Sequence, residues 1–332
     1  MKSVAGTVSP HPGMVRIPGG TFRMGSDHHY AEEKPAHTVT VGGFWIDATP
    51  VTNAQFKAFV LATGHVTWAE IDPDPKDYPG ARPGMLKAGG LVFTPPSKPV
   101  DLADWSQWWR FTFGATWRRP YGKGSHIGGL DDHPVVQVGF RDAEAYAKWA
   151  GKQLPTEAEW EFAARGGLDG AEFAWGDELT PGGRHMANTW QGRFPAENTR
   201  EDGFARTSPV HAFPPNGYGV YDMIGNVWEW TADWYAAKHA PDAGKACCVP
   251  ENPRGATLEQ SYDPRDSVRI PRKVLKGGSH LCAPSYCKRY RPAARHAEQI
   301  DTTTSHVGFR CIVRDALSDG LAADLDLHRG RG

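Results

Sequence analysis

Two cysteines, Cys282 and Cys287, lie five residues apart in the segment Gly277-Gly278-Ser279-His280-Leu281-Cys282-Ala283-Pro284-Ser285-Tyr286-Cys287. On a regular strand, residues at this spacing point to opposite faces, and on a helix they are well over a third of a turn apart. Only an irregular loop brings both sulfurs to one point, and Gly277, Gly278 and Pro284 let the backbone bend. Two thiolates on a loop can form a reversible disulfide or a soft-metal site, with Cu(I) favoured over Zn(II) when the ligand count stays low. Two thiols acting as small hydrophobes are the plainer alternative. A tetrahedral zinc site would have to borrow His280, His296 or His306, and no regular zinc-ligand spacing is present. A second pair, Cys247-Cys248, sits in a Gly/Pro-rich loop, where adjacent cysteines can form a vicinal disulfide, relay electrons or do no chemistry at all.

The elements that must position these residues are short. Thr52-Asn-Ala-Gln55 is a capping box, with Phe56, Phe59 and Val60 at helical spacing before Gly64. A second helix is expected from about Asp142 to Ala150, stopped by Gly151. A third follows Pro155, where Thr156 and Glu159 form another capping box and Trp160, Ala163 and Ala164 share a face before Gly166. Short strands are expected at Met14–Ile17, Thr21–Met24, Thr38–Val41, Val135–Val138, Val227–Trp230, Val274–Lys276 and Phe309–Val313.

Composition bounds the rest. The 332 residues include 13 Trp, 38 Gly and 27 Pro, so pinned turns outnumber long elements and aromatic rings fill much of the core. This points to a single loop-rich α+β domain over 14–314, low in regular secondary structure, with flexible tails at 1–13 and 315–332. The net charge of −1, with both signs dispersed, implies neither nucleic acid nor an anionic membrane surface. No apolar run approaches a membrane span. The first 13 residues lack the apolar stretch of a secretory signal, and five cysteines are too few for a disulfide scaffold. A cytoplasmic monomer is the expectation.

Several blocks together resemble the formylglycine-generating enzyme family, the sulfatase-modifying factors. They are Met14-Val-Arg-Ile-Pro-Gly-Gly-Thr21-Phe-Arg-Met-Gly25, Pro50-Val-Thr-Asn53, Leu154-Pro-Thr-Glu-Ala-Glu-Trp-Glu161, Gly225-Asn-Val-Trp-Glu-Trp230 and Gly308-Phe-Arg-Cys311. The more specific one is Lys276-Gly-Gly-Ser279 with Cys282, Cys287 and Arg289-Tyr-Arg291. The resemblance implies a fold related to C-type lectins. It also implies oxidation of a cysteine within a Cys-x-Pro-x-Arg peptide motif to Cα-formylglycine, using dioxygen, Cu(I) and an external thiol reductant. The substrate would be an unfolded or nascent sulfatase-type polypeptide. By the same resemblance Cys282 and Cys287 are the copper ligands, Ser279 lines the oxygen pocket and Trp228 walls the site. One calcium ion would be held by Asn188, Thr189, Asp202 and Phe204, and a second by Asp222, Gly225, Val227 and Glu229, a mixture of side-chain oxygens and carbonyls suited to a hard cation.

Departures from the family pattern fall at Ala283-Pro284, where a polar pair is usual, at His306, where Asn is usual, and at Ala147, which leaves Cys311 without the partner that secreted relatives have. Trp105 and Arg118 are candidates for a peptide groove, Trp for proline and Arg for backbone carbonyls, and His306 for positioning substrate or oxygen. Two other functions compete. An iron-dependent oxidative chemistry on the same scaffold would need a His-x-x-x-His-x-Glu motif, which is absent. A non-enzymatic binding module would have no need of Cys282 and Cys287.

Overall fold

A computed structural model of the chain describes residues 9–239, 249–266 and 268–315; Cys247-Cys248 and most of both expected tails lie outside them. The strands in chain order are β1 (Met14–Ile17), β2 (Gly20–Met24), β3 (His37–Val41), β4 (Phe44–Asp47), β5 (Gly89–Phe93), β6 (Trp109–Phe113), β7 (Trp228–Trp234), β8 (Arg272–Lys276), β9 (Arg295–Gln299), β10 (Val307–Gly308) and β11 (Ile312–Arg314). The helices are α1 (Asn53–Thr63), α2 (Phe140–Trp149) and α3 (Glu157–Arg165). The strands form four small sheets: β1-β4-β11, β10-β7-β8-β9, and the hairpins β2-β3 and β5-β6. This is the loop-rich α+β architecture expected from the composition.

The two capping boxes close as their sequences require. Thr52 and Gln55 exchange side-chain and backbone hydrogen bonds at the start of α1, and Gly64 ends it in the left-handed region. Thr156 and Glu159 do the same for α3, which Gly166 ends. All of α3 is buried, with Trp160 wholly inside the main core beside Phe56, Trp230, Leu275 and Phe309. An amphipathic helix would leave one face in water, so its polar residues must be paired instead. Glu161 accepts from Lys276 at 2.9 Å and from Arg165 at 2.7 Å, and Arg295 donates to Glu157 at 2.8 Å.

Val135–Val138, expected as a strand, is not one. Its N–H groups donate in different directions, Val135 to Val51 and Gln137 to Thr304. Gln137 has a positive φ of 60°, which breaks an extended run despite the β-branched residues around it. At the N-terminal boundary, the Gly13 carbonyl accepts from Ala48 N–H and the His11 ring lies 5.3 Å from that of Trp45, so the chain joins β4 just before β1.

Candidate active site: a two-thiol loop beside an aromatic wall

The cysteine loop leaves β8 through two glycines in the left-handed region, Gly277 (φ 95°) and Gly278 (φ 71°). Neither position has room for a side chain. A Cβ on Gly277 would lie 2.9 Å from the Met223 carbonyl and 3.0 Å from the Trp160 ring, and one on Gly278 would lie 2.8 Å from the Arg289 carbonyl. The chain then folds into two consecutive turns. Cys282 N–H donates to the Ser279 carbonyl at 2.9 Å, and the Ala283 carbonyl accepts from Tyr286 at 3.1 Å and from Cys287 at 2.9 Å. The result places the two sulfurs 3.3 Å apart. That is far beyond the ~2.05 Å of a disulfide and corresponds to a sulfur–sulfur hydrogen bond. Trp190 N–H pins the loop by donating to the Cys282 carbonyl at 3.0 Å.

The two thiols are electrostatically unequal. Cys282 is buried, Cys287 is half-buried, and Pro284, Ser285 and Tyr286 between them are exposed. Cys287 is drawn down to about 6, first by its hydrogen bond with Cys282 and then by the positive charge of Arg289, with burial acting against both. Burial, followed by the neighbouring Cys287, pushes Cys282 well above the ordinary thiol range. The pair is therefore a Cys282 thiol donating to a Cys287 thiolate. Arg289 lies 3.9 Å from the Cys287 sulfur and is held there by Glu32 at 2.6 Å and by the Tyr30 ring, 3.8 Å from its guanidinium carbon.

Around the loop the described residues form a wall of rings. Tyr286 stacks on Phe194 at 4.6 Å and meets Trp108 edge-on at 5.6 Å. Ser279 is fully buried and its hydroxyl accepts from Leu281 N–H at 3.2 Å. His280 N–H and Nδ1 both contact the Asn226 carbonyl, which ties the loop to the segment before Trp228. Trp228 is buried, lies 5.6 Å from the His296 ring and donates its N–H to the His306 carbonyl at 2.9 Å. His306 in turn bonds Thr304 at 2.6 Å and packs on Trp109 at 4.7 Å. Ser279, Trp228 and His306 thus belong to one neighbourhood with the thiols.

Trp105 and Arg118 are placed differently. Trp105 is 58% exposed in a short 3-10 turn, and it is Trp108, further along, that touches the loop through Tyr286. Arg118 pairs with Glu70 at 2.7 Å and lies over Trp117. Sequence reasoning passed over Tyr286, Arg289 and Glu32. Arg289, two residues from Cys287, was the one local signal, whereas Glu32 arrives from 257 residues away.

The donor set suits a soft ion: two convergent sulfurs, one already ionised, with one edge open to solvent. Among the described residues no group of three or more His, Cys, Asp and Glu converges as a metal site, and His280 spends its Nδ1 on Asn226, so a histidine-completed zinc site is not formed. The calcium candidates form two adjoining clusters. Asp202 accepts from the N–H groups of Thr189 and Phe204, at 3.0 and 2.9 Å, and Asn188 Oδ1 is buried without a hydrogen bond. Both Asp222 oxygens are also buried without a well-formed hydrogen bond, and burial pushes this carboxyl up to about 7, with Arg310 opposing. Orphaned buried oxygens of this kind fit a hard cation. Gly225 approaches the Asn188 carbonyl too closely for any side chain, and Val227 is buried beside it in sequence. Both Glu229 oxygens are already engaged by Arg310 and Trp160, so a cation there would share that carboxylate.

A lectin-related scaffold of small sheets and long ordered loops, carrying one thiol–thiolate loop under an aromatic wall, defines the class. A family model, the Sulfatase-modifying factor enzyme 1-like domain, matches residues 2–315. The chain is 55% identical over 300 residues to the formylglycine-generating enzyme of Mycobacterium tuberculosis, covering 90% of this chain and 97% of that relative. It is 47% identical over 317 residues to the formylglycine-generating enzyme of Streptomyces coelicolor, covering 94% and 92%. Among solved structures, PvdO from Pseudomonas aeruginosa is similar with a TM-score of 0.59 at 26% identity, covering 91% of this chain and 94% of that one. The chain belongs to the sulfatase-modifying factor family of formylglycine-generating enzymes.

Proposed function

We propose that this enzyme is a copper-dependent oxidase that converts the cysteine of a Cys-x-Pro-x-Arg motif, in an unfolded sulfatase-type polypeptide, to Cα-formylglycine. The single observation that carries this reading is the convergence of the Cys282 and Cys287 sulfurs to 3.3 Å on one loop. In the overall balance, the substrate CH2–SH, dioxygen and two external thiols become an aldehyde, hydrogen sulfide, water and a disulfide. Copper(I), held by Cys282 and Cys287, would supply the one-electron chemistry that lets dioxygen react.

The chain's own residues do the remaining work. Arg289 keeps Cys287 ionised and Glu32 keeps Arg289 in place, so a metal ligand stands ready near neutral pH. Tyr286, Trp108 and Phe194 pack on one another and give the cysteine loop an aromatic flank. Buried Ser279 offers a hydroxyl within the loop, and His306, held by Thr304 and Trp109, is the further candidate for positioning substrate or oxygen. Calcium ions at the Asn188/Asp202 and Asp222 clusters would neutralise buried oxygens and close loops, a structural role. A cytoplasmic setting suits Cys282, Cys287 and Cys311, all free thiols.

The test is a copper-loaded assay under thiol and air with a Cys-x-Pro-x-Arg peptide, following product mass and hydrazide capture of the aldehyde. Product that disappears in Cys282→Ala and Cys287→Ala is expected. Product that persists in either variant overturns the two-ligand site.

A further inference from the structure

We propose that an apolar cleft on the outer face of the β5–β6 hairpin binds an apolar segment of the substrate polypeptide flanking its motif, an inference that rests on the oxidase reading above. The cleft has a volume of about 510 Å3, and its walls include Ile71, Met85, Leu91, Phe111, Phe113 and Ile270. Four of these are strongly solvent-exposed: Ile71 at 41%, Met85 at 63%, Phe111 at 51% and Phe113 at 54%. A contiguous exposed patch of this kind marks an interaction surface, whereas scattered apolar residues do not. The charged groups at the cleft are already paired, Asp301 with the Tyr78 hydroxyl and Lys87 with Asp72, so the apolar walls are what a ligand would meet.

Continuity with the thiol site selects the occupant. In the hairpin register Phe93 faces Trp109, Leu91 faces Phe111 and Gly89 faces Phe113, and residues two apart share a face. At the near end Trp109 packs on His306, and Phe93 packs at 5.6 Å on Trp190, whose N–H holds the Cys282 carbonyl. At the far end Phe111 and Phe113 pack together at 5.8 Å and open into the cleft. At Gly90 the other face is closed, because a Cβ there would strike Gln137 and Thr303. A partly exposed row of rings, His306, Trp109, Phe111 and Phe113, therefore leads to the cleft, and it is backed by Phe93 on the buried Trp190 that holds the cysteine loop. Trp109 to Phe113 spans roughly 14 Å, the length of about four extended residues. An unfolded polypeptide offers what this track needs, an extended backbone and apolar side chains not yet buried.

The experiment compares a short motif peptide with the same peptide extended by about eight residues at either end, once with Leu and Phe and once with Ser and Gly. KM and kcat are measured on the loaded enzyme, and Kd by fluorescence anisotropy on peptides whose cysteine is replaced by alanine. One apolar extension is expected to lower KM and Kd about tenfold without changing kcat. The Phe111→Ser/Phe113→Ser enzyme, and separately Met85→Ser, should lose that gain yet turn over the short peptide normally. Equal affinities for the apolar and the Ser/Gly extensions, or a gain that survives both variants, would overturn the proposal. A concentration-dependent dimer abolished by the same variants would overturn it too, in favour of a second copy of the chain. Failure of the short peptide to react would count against the oxidase reading, while the anisotropy arm still decides the cleft.

Discussion

Replacing Arg310 by Met should destabilise this enzyme more than any comparable surface change, because Arg310 is fully buried and all three of its guanidinium nitrogens donate hydrogen bonds. It donates to Glu229 Oε2 at 2.7 Å and Oε1 at 2.8 Å, and to the carbonyls of Asp47, Tyr221 and Asp222 at 3.2, 2.8 and 3.2 Å. Methionine fills much of the volume but leaves the Glu229 carboxylate buried with only Trp160 as a donor. Breaking a buried pair on one side costs about 3–5 kcal/mol. The abandoned carbonyls push the expected value towards the upper end. For a chain of this size that corresponds to a fall in Tm of about 4–7 °C. Glu229→Leu combined with Arg310→Met removes the stranded charge and should recover about 2 kcal/mol of the loss, the remainder reflecting the Trp160 N–H left without an acceptor. The assay is urea unfolding of the wild type, both single variants and the double variant as a thermodynamic cycle. A single-variant cost below about 1 kcal/mol, or a double variant as unstable as the sum of the singles, would refute the reasoning.

Three further outcomes are expected. Glu161 is held down at about 2, burial opposing but Lys276 and Arg165 prevailing, so its contribution is complete above pH 4.5 and lost as pH falls from 4.5 towards 2; Glu161→Gln should flatten acid unfolding in that window by roughly 3 kcal/mol. Asp222 is raised to about 7, so ionising it costs stability as pH rises from about 4 to 7. Calcium should restore that loss at pH 7.5, chelator should remove the gain, and Asp222→Asn should be insensitive to both; a wild-type Tm indifferent to calcium would sink this reading. In copper-free protein, alkylation of Cys287 should reach half its maximal rate near pH 6 while buried Cys282 and Cys311 resist until unfolding, and mass mapping that finds a midpoint near 9 would refute the thiolate assignment.

What could be read from the sequence is what is encoded locally. The capping boxes at Thr52 and Thr156, and Gly64 and Gly166 behind them, carry their own hydrogen-bond partners within a few residues, so α1 and α3 were legible. β5 was not, because it opens on Gly89-Gly90, where Gly89 gives room to Thr112 of the paired strand and Gly90 lets Gln137 and Thr303 approach from a distance. β9 reads as polar, Arg-His-Ala-Glu-Gln, and becomes a strand by pairing along its length with β8, where Arg295 also reaches the buried Glu157. The thiol pair was legible because the glycines and proline that bend it are its neighbours. Its acidity was legible only in part: Cys282, which lowers Cys287 most, is local, whereas Glu32 and Tyr30, which hold Arg289 against Cys287, come from the other end of the chain.

The same long-range pairs explain how so little regular structure can hold two sulfurs in place. The loop enters from Lys276, which is locked to Glu161, and passes Gly277 against Trp160, whose N–H is locked to Glu229 and through it to Arg310. It leaves through Arg289 and Arg291, which grip the consecutive Glu32 and Glu33. Both ends of the irregular segment are thus clamped by buried or half-buried ion pairs, and the stretch that faces solvent is Pro284 to Tyr286 with Lys288. Such pairs add little net stability over an apolar core, yet each accepts few alternative geometries. In a fold whose sheets have two to four short strands, that directional constraint takes over the positioning role that long strands serve elsewhere. Weakening the clamp at Glu32 should therefore disturb the thiol pair before it disturbs the fold: Glu32→Gln should raise the pH midpoint of Cys287 alkylation while the urea midpoint moves little. A large loss of stability with unchanged thiol reactivity would reverse that order and refute it.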